Sequence, residues 1–461
     1  MTLSLFSGWV DAHKDQIIAE TQAVLRIPSV NEPESIGPGA PFGKPCADAL
    51  EHTLALCASL GMRTENFGGY AGHAEFGPED APEMVAMLGH LDVVPLGSGW
   101  TREPWGAEID GDWVYARGAS DDKGPTFAAL FGAKAVLDSG LPLTRKIRLI
   151  FGCDEESGWE CMRHYFDVAK QAKPDLAFTP DAGFPLYYAE KGSFTLTATR
   201  PIGDSLVAVF SSGLRPNMVP DEAEVVLIGS ADRLGYIAKT LKRKQTFKVT
   251  DEGDKALRIW AKGKASHGAS PQKGINAAKK LAEALFDLFA EPWLSELVER
   301  CATDGSGIGI AGKDEITGPL TCNVGIVSVL DGTLSMTFNV RYPATWDDSV
   351  LTRAQASLTD TGWTIAELHH TPPLYVPQDA EPVKTLLKVY RGHTGDMTKP
   401  HTMGGRTYAT TVSPNGVAFG AGMKGDPDVA HRPDEKFSIE RLLFCANVYA
   451  DALYQLANVS R

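Results

Sequence analysis

Short apolar runs that stop abruptly at ionisable residues constrain this chain more than any other feature. Met84 to Gly89 has the length of one buried strand, and His90 follows at once, with Asp92 two residues on. Lys146 to Gly152 leads into Cys153, Asp154, Glu155 and Glu156. Asp175 to Thr179 leads into Pro180 and Asp181. Runs this short read as strands. Between the first two lies Gly124 to Leu137, which is helical in pattern, small and apolar on one side. Strands alternating with helices predict a parallel α/β sheet. Such sheets bind ligands outside the carboxyl ends of their strands, which is where these ionisable residues fall.

Each signal taken alone also has a plain structural explanation. His90 could simply end a strand, with Asp92 starting a turn, or Asp92 could accept the other ring proton of a metal-ligating His90. In Gly118-Ala119-Ser120-Asp121-Asp122-Lys123-Gly124, Ser and Asp suit the cap of the following helix. The other reading has Asp121 bridging two cations. The acids at 154 to 156 repel one another at a strand end, which a helix start relieves and a metal site relieves better. Adjacent carboxylates can then divide the work, one as ligand and one as general base. Asp181 could belong to an ordinary Asp turn. His431, in Ala430-His431-Arg432-Pro433-Asp434-Glu435, could be a surface residue before the final helix. The conjunction is stronger than its parts. His90, Asp121, Glu156, Asp181 and His431 supply two imidazoles and three carboxylates, which suit a pair of zinc-like ions. Two divalent cations, three carboxylates and one hydroxide sum to zero charge, so such a site can be buried.

The rest of the chain sets the frame. At 461 residues it exceeds one ordinary domain. Lys and Arg number 44 against 58 Asp and Glu, a net charge of −14 that argues against a nucleic-acid binder. The seven cysteines form no C-x-x-C pair, so neither a zinc knuckle nor a redox motif is suggested. No signal peptide or membrane span is visible, and a cytoplasmic protein is expected. Near Glu190 the texture changes. Phe194 to Arg200 alternates as an antiparallel strand does, and further strand-like runs at Glu224 to Ile228, Ala256 to Ala261 and Ser335 to Val340 are separated by helical ones. This stretch predicts an α+β domain. The first texture returns from about Glu381, with a short strand at Val417 to Gly420 and a long closing helix over Lys436 to Leu456.

The runs H-L-D-V-V-P, S-D-D-K-G, D-E-E-S-G, P-D-A and H-R-P-D-E come in the order and rough spacing of the di-zinc exopeptidase superfamily. That group includes aminoacylases, desuccinylases, carboxypeptidases and dipeptidases, and the chain most resembles its bacterial dipeptidase V (Xaa-His dipeptidase) subgroup over essentially its whole length. The resemblance implies a discontinuous α/β catalytic domain with a mostly parallel sheet, residues 1–190 and 385–461, and an inserted α+β lid, residues 191–384. It implies His90 and Asp181 on one metal, Glu156 and His431 on the other, and Asp121 between them. Glu155 would be the general base, and Asp92 the partner of His90. In the lid, His267 in Gly263-Lys264-Ala265-Ser266-His267-Gly268 would help stabilise the oxyanion. Arg341 in Asn339-Val340-Arg341-Tyr342-Pro343 would grip the substrate carboxylate. Asn217 and the Gly404-Gly405 loop match substrate-binding positions more weakly.

The function so implied is metal-dependent hydrolysis of a dipeptide with a free C-terminus. The metal would be zinc, with manganese or cobalt as alternatives, and the enlarged lid implies a monomer. The sequence departs from the family pattern at Asp434, where Asn is usual, at Gly183, and at Arg406, which replaces a third glycine. Arg406 leaves open a second enzymatic reading, an N-acyl amino acid deacylase such as a desuccinylase. A non-catalytic metal- or peptide-binding protein on the same scaffold is a third.

Overall fold

The computed structural model describes residues 4–244, 246–253 and 255–459. They form two compact units. The first comprises Met1–Ala189, Leu374–Thr402 and Arg406–Arg461, and the second Glu190–Pro373 with Met403–Gly405.

The first unit is built on a nine-stranded sheet. Its path runs through Arg63–Phe67, Ala71–Phe76, Lys146–Gly152, Met84–His90, Leu176–Thr179, Gly416–Ala418, Tyr187–Glu190 and Leu374–Tyr375. Met84–His90 is parallel to both Lys146–Gly152 and Leu176–Thr179, and Leu176–Thr179 is parallel to Gly416–Ala418. The parallel character is thus central. Ala71–Phe76 joins Lys146–Gly152 antiparallel, and Arg63–Phe67 joins Ala71–Phe76 antiparallel. Every residue of Met84–His90 is buried, as expected of a strand covered on both faces. Because the four central strands share one direction, the residues that follow His90, Gly152 and Thr179 emerge at the same end of the sheet.

Two helices set the depth of that end. Lys123–Ser139 packs against the closing helix Ile439–Asn458. It also lies close on Met84–His90: a Cβ at Gly89 would stand 2.0 Å from Thr126 Oγ1. Only glycine permits this approach, and it brings the turn before the helix, with Asp121, up to the end of the strand. Phe127 and Phe131 on this helix are fully buried, each worth roughly 1.5–3 kcal/mol of transfer free energy.

The closing helix begins later than the sequence pattern predicts. Lys436–Ser438 is a strand paired antiparallel with Trp113–Tyr115. Ser438 then caps the helix, its hydroxyl accepting from Arg441 N at 3.0 Å. The apolar signal of Phe437 belongs to the small sheet, and the Ser cap marks where the helix starts.

The second unit holds an eight-stranded sheet in the order Phe247–Asp251, Ala256–Lys262, Glu222–Ile228, Val207–Ser212, Thr321–Leu330, Thr333–Tyr342, Gly192–Pro201 and Thr364–Thr371. Its pairings are antiparallel. Burial alternates along Glu222–Ile228 and Ala256–Lys262, and the inward side chains join those of helices such as Ala277–Phe289 and Pro292–Arg300 in one core. The predicted α+β texture of this stretch is this arrangement. Among the described residues no helix is long and apolar enough to cross a membrane.

Candidate active site

The ionisable residues at the carboxyl end of the parallel strands converge. His90 is the last residue of its strand and is 1% exposed. Its Nε2 lies 3.1 Å from Asp121 Oδ1 and 3.9 Å from Asp181 Oδ2. His431 reaches the same cluster from the far end of the chain. Its Nε2 lies 3.0 Å from Asp121 Oδ2 and 2.9 Å from Glu156 Oε1. Asp121 therefore offers one carboxylate oxygen to each imidazole. Donor atoms of His90, Glu155 and Asp181 fall within 4.8 Å of one another, as do those of His90, Asp121 and Glu156.

The acid-rich turn after Gly152 owes its shape to a division of labour. The Asp154 carboxylate accepts from Ser157 Oγ at 2.6 Å, Gly158 N at 3.1 Å and Glu160 N at 2.9 Å, so it closes the turn on itself. Asp92 holds the turn from below. Its carboxylate accepts from Glu155 N at 3.0 Å and Glu156 N at 3.1 Å. His90 Nδ1 lies 2.9 Å from the Asp92 carbonyl oxygen and 3.6 Å from the Asp92 carboxylate. At hydrogen-bonding distance the ring nitrogen thus meets the Asp92 backbone, and the side chain serves the glutamate turn. The sequence spacing anticipates contact between the two residues but not this exchange of roles.

Charge in the cluster is unbalanced. Burial, and then the neighbouring Asp121 charge, pushes the Asp181 carboxyl well above the usual range. Burial and the adjacent Glu156 do the same to Glu155. Glu156 is raised by burial against the opposing hydrogen bond to His431. Burial would raise Asp121 too, but the hydrogen bonds to His431 and His90 win and hold it low. Both imidazoles are raised. For His90 burial opposes the charged form, and the bond to Asp121 with the nearby negative charge of Asp92 and Asp181 overcomes it. His431 is raised to about 10 by its bonds to Asp121 and Glu156. Apart from Asp121, acids and bases alike draw in protons, the behaviour of a cluster suited to added positive charge. A mixed carboxylate and imidazole donor set of this kind suits two divalent ions, so the residues fit a dinuclear metal centre.

Several further residues support the cluster without reaching it as donors. Lys123, fully buried, donates to the carbonyls of Val24 at 3.2 Å and Ile27 at 2.7 Å, and burial lowers it to about 7. Tyr408 stands edge-on to His90 with ring centroids 6.3 Å apart. Glu435 is wholly buried, and its carboxylate accepts from the backbone of the segment that carries Asp121. Its place in the H-R-P-D-E run is its one sequence mark.

The remaining predicted residues lie in the second unit. His267 and Asn217 are brought together there. Met218 and His267 form a β-bridge, Gly268 N donates to Asn217 O at 2.7 Å, and His267 Nδ1 accepts from Ala269 N at 3.1 Å. Arg341 is buried on Thr333–Tyr342, opposite Thr321 and Ser193. Gly404 lies beside Ala269, where a Cβ would stand 4.0 Å from the alanine methyl, and a Cβ at Gly405 would meet Met403 Sδ at 3.7 Å. Packing by itself forces neither glycine. In the first unit, the Arg406 guanidinium sits 4.9 Å over the Trp159 ring, whose Nε1 donates to Glu155 O at 2.8 Å. Of the other departures, the Asp434 carboxylate accepts from Thr101 N at 2.9 Å, Thr101 Oγ1 at 2.7 Å and Arg102 N at 3.1 Å.

Residues 86–455 match the sequence family described as peptidase family M20/M25/M40. A Bacillus subtilis protein provisionally named a dipeptidase, YtjP, is 39% identical over 465 residues, covering 96% of this chain and 98% of its own. A provisionally named dipeptidase of Staphylococcus saprophyticus is 31% identical over 469 residues, covering 97% and 98%. The solved structure of the Saccharomyces cerevisiae dipeptidase Dug1p shares the fold, with a TM-score of 0.59 at 14% identity over 99% of this chain and 98% of that one.

Proposed function

Because this chain belongs to peptidase family M20/M25/M40, we propose that it is a dipeptidase, cleaving dipeptides that carry a free C-terminal carboxylate. The observation that carries the reading is Asp121, whose two carboxylate oxygens each face a different imidazole. That is the placement a carboxylate shared by two ions requires. His90 and Asp181 would hold one ion and Glu156 and His431 the other, with zinc preferred and manganese or cobalt as substitutes. When bound, such a pair polarises a peptide carbonyl and acidifies water.

The chain's own groups supply the rest. Glu155 stands half-buried beside the cluster, and its raised proton affinity suits a base that takes a proton from water at its carboxylate oxygen. It then delivers that proton to the departing amine nitrogen. Asp92 holds the backbone of Glu155 in place for this transfer. His267 is the donor assigned to the oxyanion, and Arg341 the guanidinium assigned to the substrate carboxylate, a pairing its planar fork favours. Asn217, Gly404 and Gly405 complete the assigned substrate contacts. The protein is assigned as a monomer.

The test is a hydrolysis panel of free dipeptides, N-acyl amino acids and a tripeptide, run on chelated protein and after zinc or manganese is restored. Metal-dependent cleavage of the dipeptides alone is expected. Cleavage of the acylated substrates instead would make the protein a deacylase.

A further inference from the structure

The two chain segments that carry Asp121 and His431 are joined by a reciprocal clasp, and we infer that its central residue, Glu435, is a positioning residue for the metal centre. This rests on the assignment of Asp121 and His431 as metal-holding groups. Glu435 Oε1 accepts from Ser120 N at 2.9 Å, Ser120 Oγ at 3.0 Å and Asp121 N at 3.2 Å. Its Oε2 accepts from Gly118 N at 3.1 Å and Arg117 Nη1 at 2.7 Å. One carboxylate thus gathers the backbone of the whole turn that presents Asp121. Arg117 answers in the other direction: Nη1 also donates to Arg432 O at 3.3 Å, next to His431, and Nη2 to Leu96 O at 3.2 Å. Arg117 and Glu435 are each 1% exposed or less, so water does not compete for these bonds.

The clasp has something to hold. His431 and Asp434 adopt positive φ values of 63° and 55°, an uncommon conformation outside glycine that His and Asp take more readily than most residues. Asp434 ties this loop to Thr101 and Arg102, and Glu435 ties it to the Asp121 turn. The separation of Asp121 from His431 is therefore set by the backbone bonds that Glu435 accepts as well as by the 3.0 Å contact of the two side chains, and with the His431 side chain 52% exposed the backbone has a large share in it.

Glu435→Gln separates positioning from mere support. An amide has one acceptor oxygen, and its NH2 must face one of two groups of donors, so at least two donors lose their acceptor. The full-length protein, stripped by chelation, is titrated with zinc alone by calorimetry at a temperature where circular dichroism shows it folded. Groups that orient metal ligands typically alter affinity about 10- to 100-fold. The expected result is a loss of that order, with excess zinc restoring hydrolysis of the wild-type substrate. Wild-type zinc affinity in folded Glu435→Gln, whatever its melting temperature, overturns the inference. If Glu435→Gln does not fold, Ser120→Ala removes a single donor, and a several-fold loss of zinc affinity is expected. Unchanged affinity there overturns the inference as well. Wild-type protein that binds no zinc removes the metal assignment beneath it, a result visible before either variant is measured.

Discussion

At the scale of the residue, Glu155 carries the sharpest question. It lies within ligand distance of His90 and Asp181, so geometry alone allows it to hold metal or to move a proton. Glu155→Gln distinguishes the two. A base loses roughly 10²–10⁴ in turnover when it can no longer take a proton. The expected variant therefore loses kcat by that factor while binding as much metal as wild type, measured by elemental analysis after dialysis. Loss of one metal equivalent would make Glu155 a ligand. His90, Glu155, Glu156 and Asp181 were legible because they follow apolar runs of strand length, whereas Asp121 and His431 follow none and were legible only in conjunction with them. How Asp92 works was not legible. Spacing places it near His90, but only the fold shows its carboxylate 3.0 Å and 3.1 Å from the two glutamate N–H groups. Glu435 was illegible for a similar reason, since its partners lie more than three hundred residues away in sequence.

At the scale of the element, the contact between the strand Met84–His90 and the helix Lys123–Ser139 decides whether Asp121 reaches the cluster. Thr126 is not free to move aside, because its Oγ1 donates to Asp122 Oδ2 at 2.8 Å while Asp122 Oδ2 accepts from His90 N at 3.3 Å. Gly89→Ala forces the helix outward or the strand to bend. Overpacking of this kind costs about 1–3 kcal/mol, and a lower melting temperature together with weaker zinc binding is the expected outcome. Adding Thr126→Ala should recover part of both, because the clashing hydroxyl at 2.0 Å is then gone. A double variant no better than Gly89→Ala would show that the clash is not the cause. The central strands were legible because both faces are covered and their sequences are mainly apolar, with Arg148 the charged exception inside a strand. The edge strand Arg63–Phe67 was not. Four of its five residues are exposed, so it has no apolar run to betray it. Lys436–Ser438 was misread as helix because a three-residue strand is too short to show a period of its own.

At the scale of the whole molecule, the division of donors between the units gives metal binding a directional effect. His90, Asp121, Glu155, Glu156, Asp181 and His431 all belong to the first unit, drawn from five separate segments of the chain. A ligand stabilises the folded state by an amount that grows with its concentration over Kd, about 2.7 kcal/mol at a hundredfold excess. Here it does so by pinning together segments whose carboxylates otherwise repel. Zinc should therefore raise the melting temperature of chelated protein in a concentration-dependent way. In hydrogen exchange it should slow the five segments around residues 84–92, 117–124, 152–160, 176–183 and 430–437. The strands Ala256–Lys262 and Glu222–Ile228 contribute no donor to the cluster, and their exchange should not change. Equal protection in those strands would mean that metal binding orders the second unit too, and that the donor cluster alone does not account for the gain in stability.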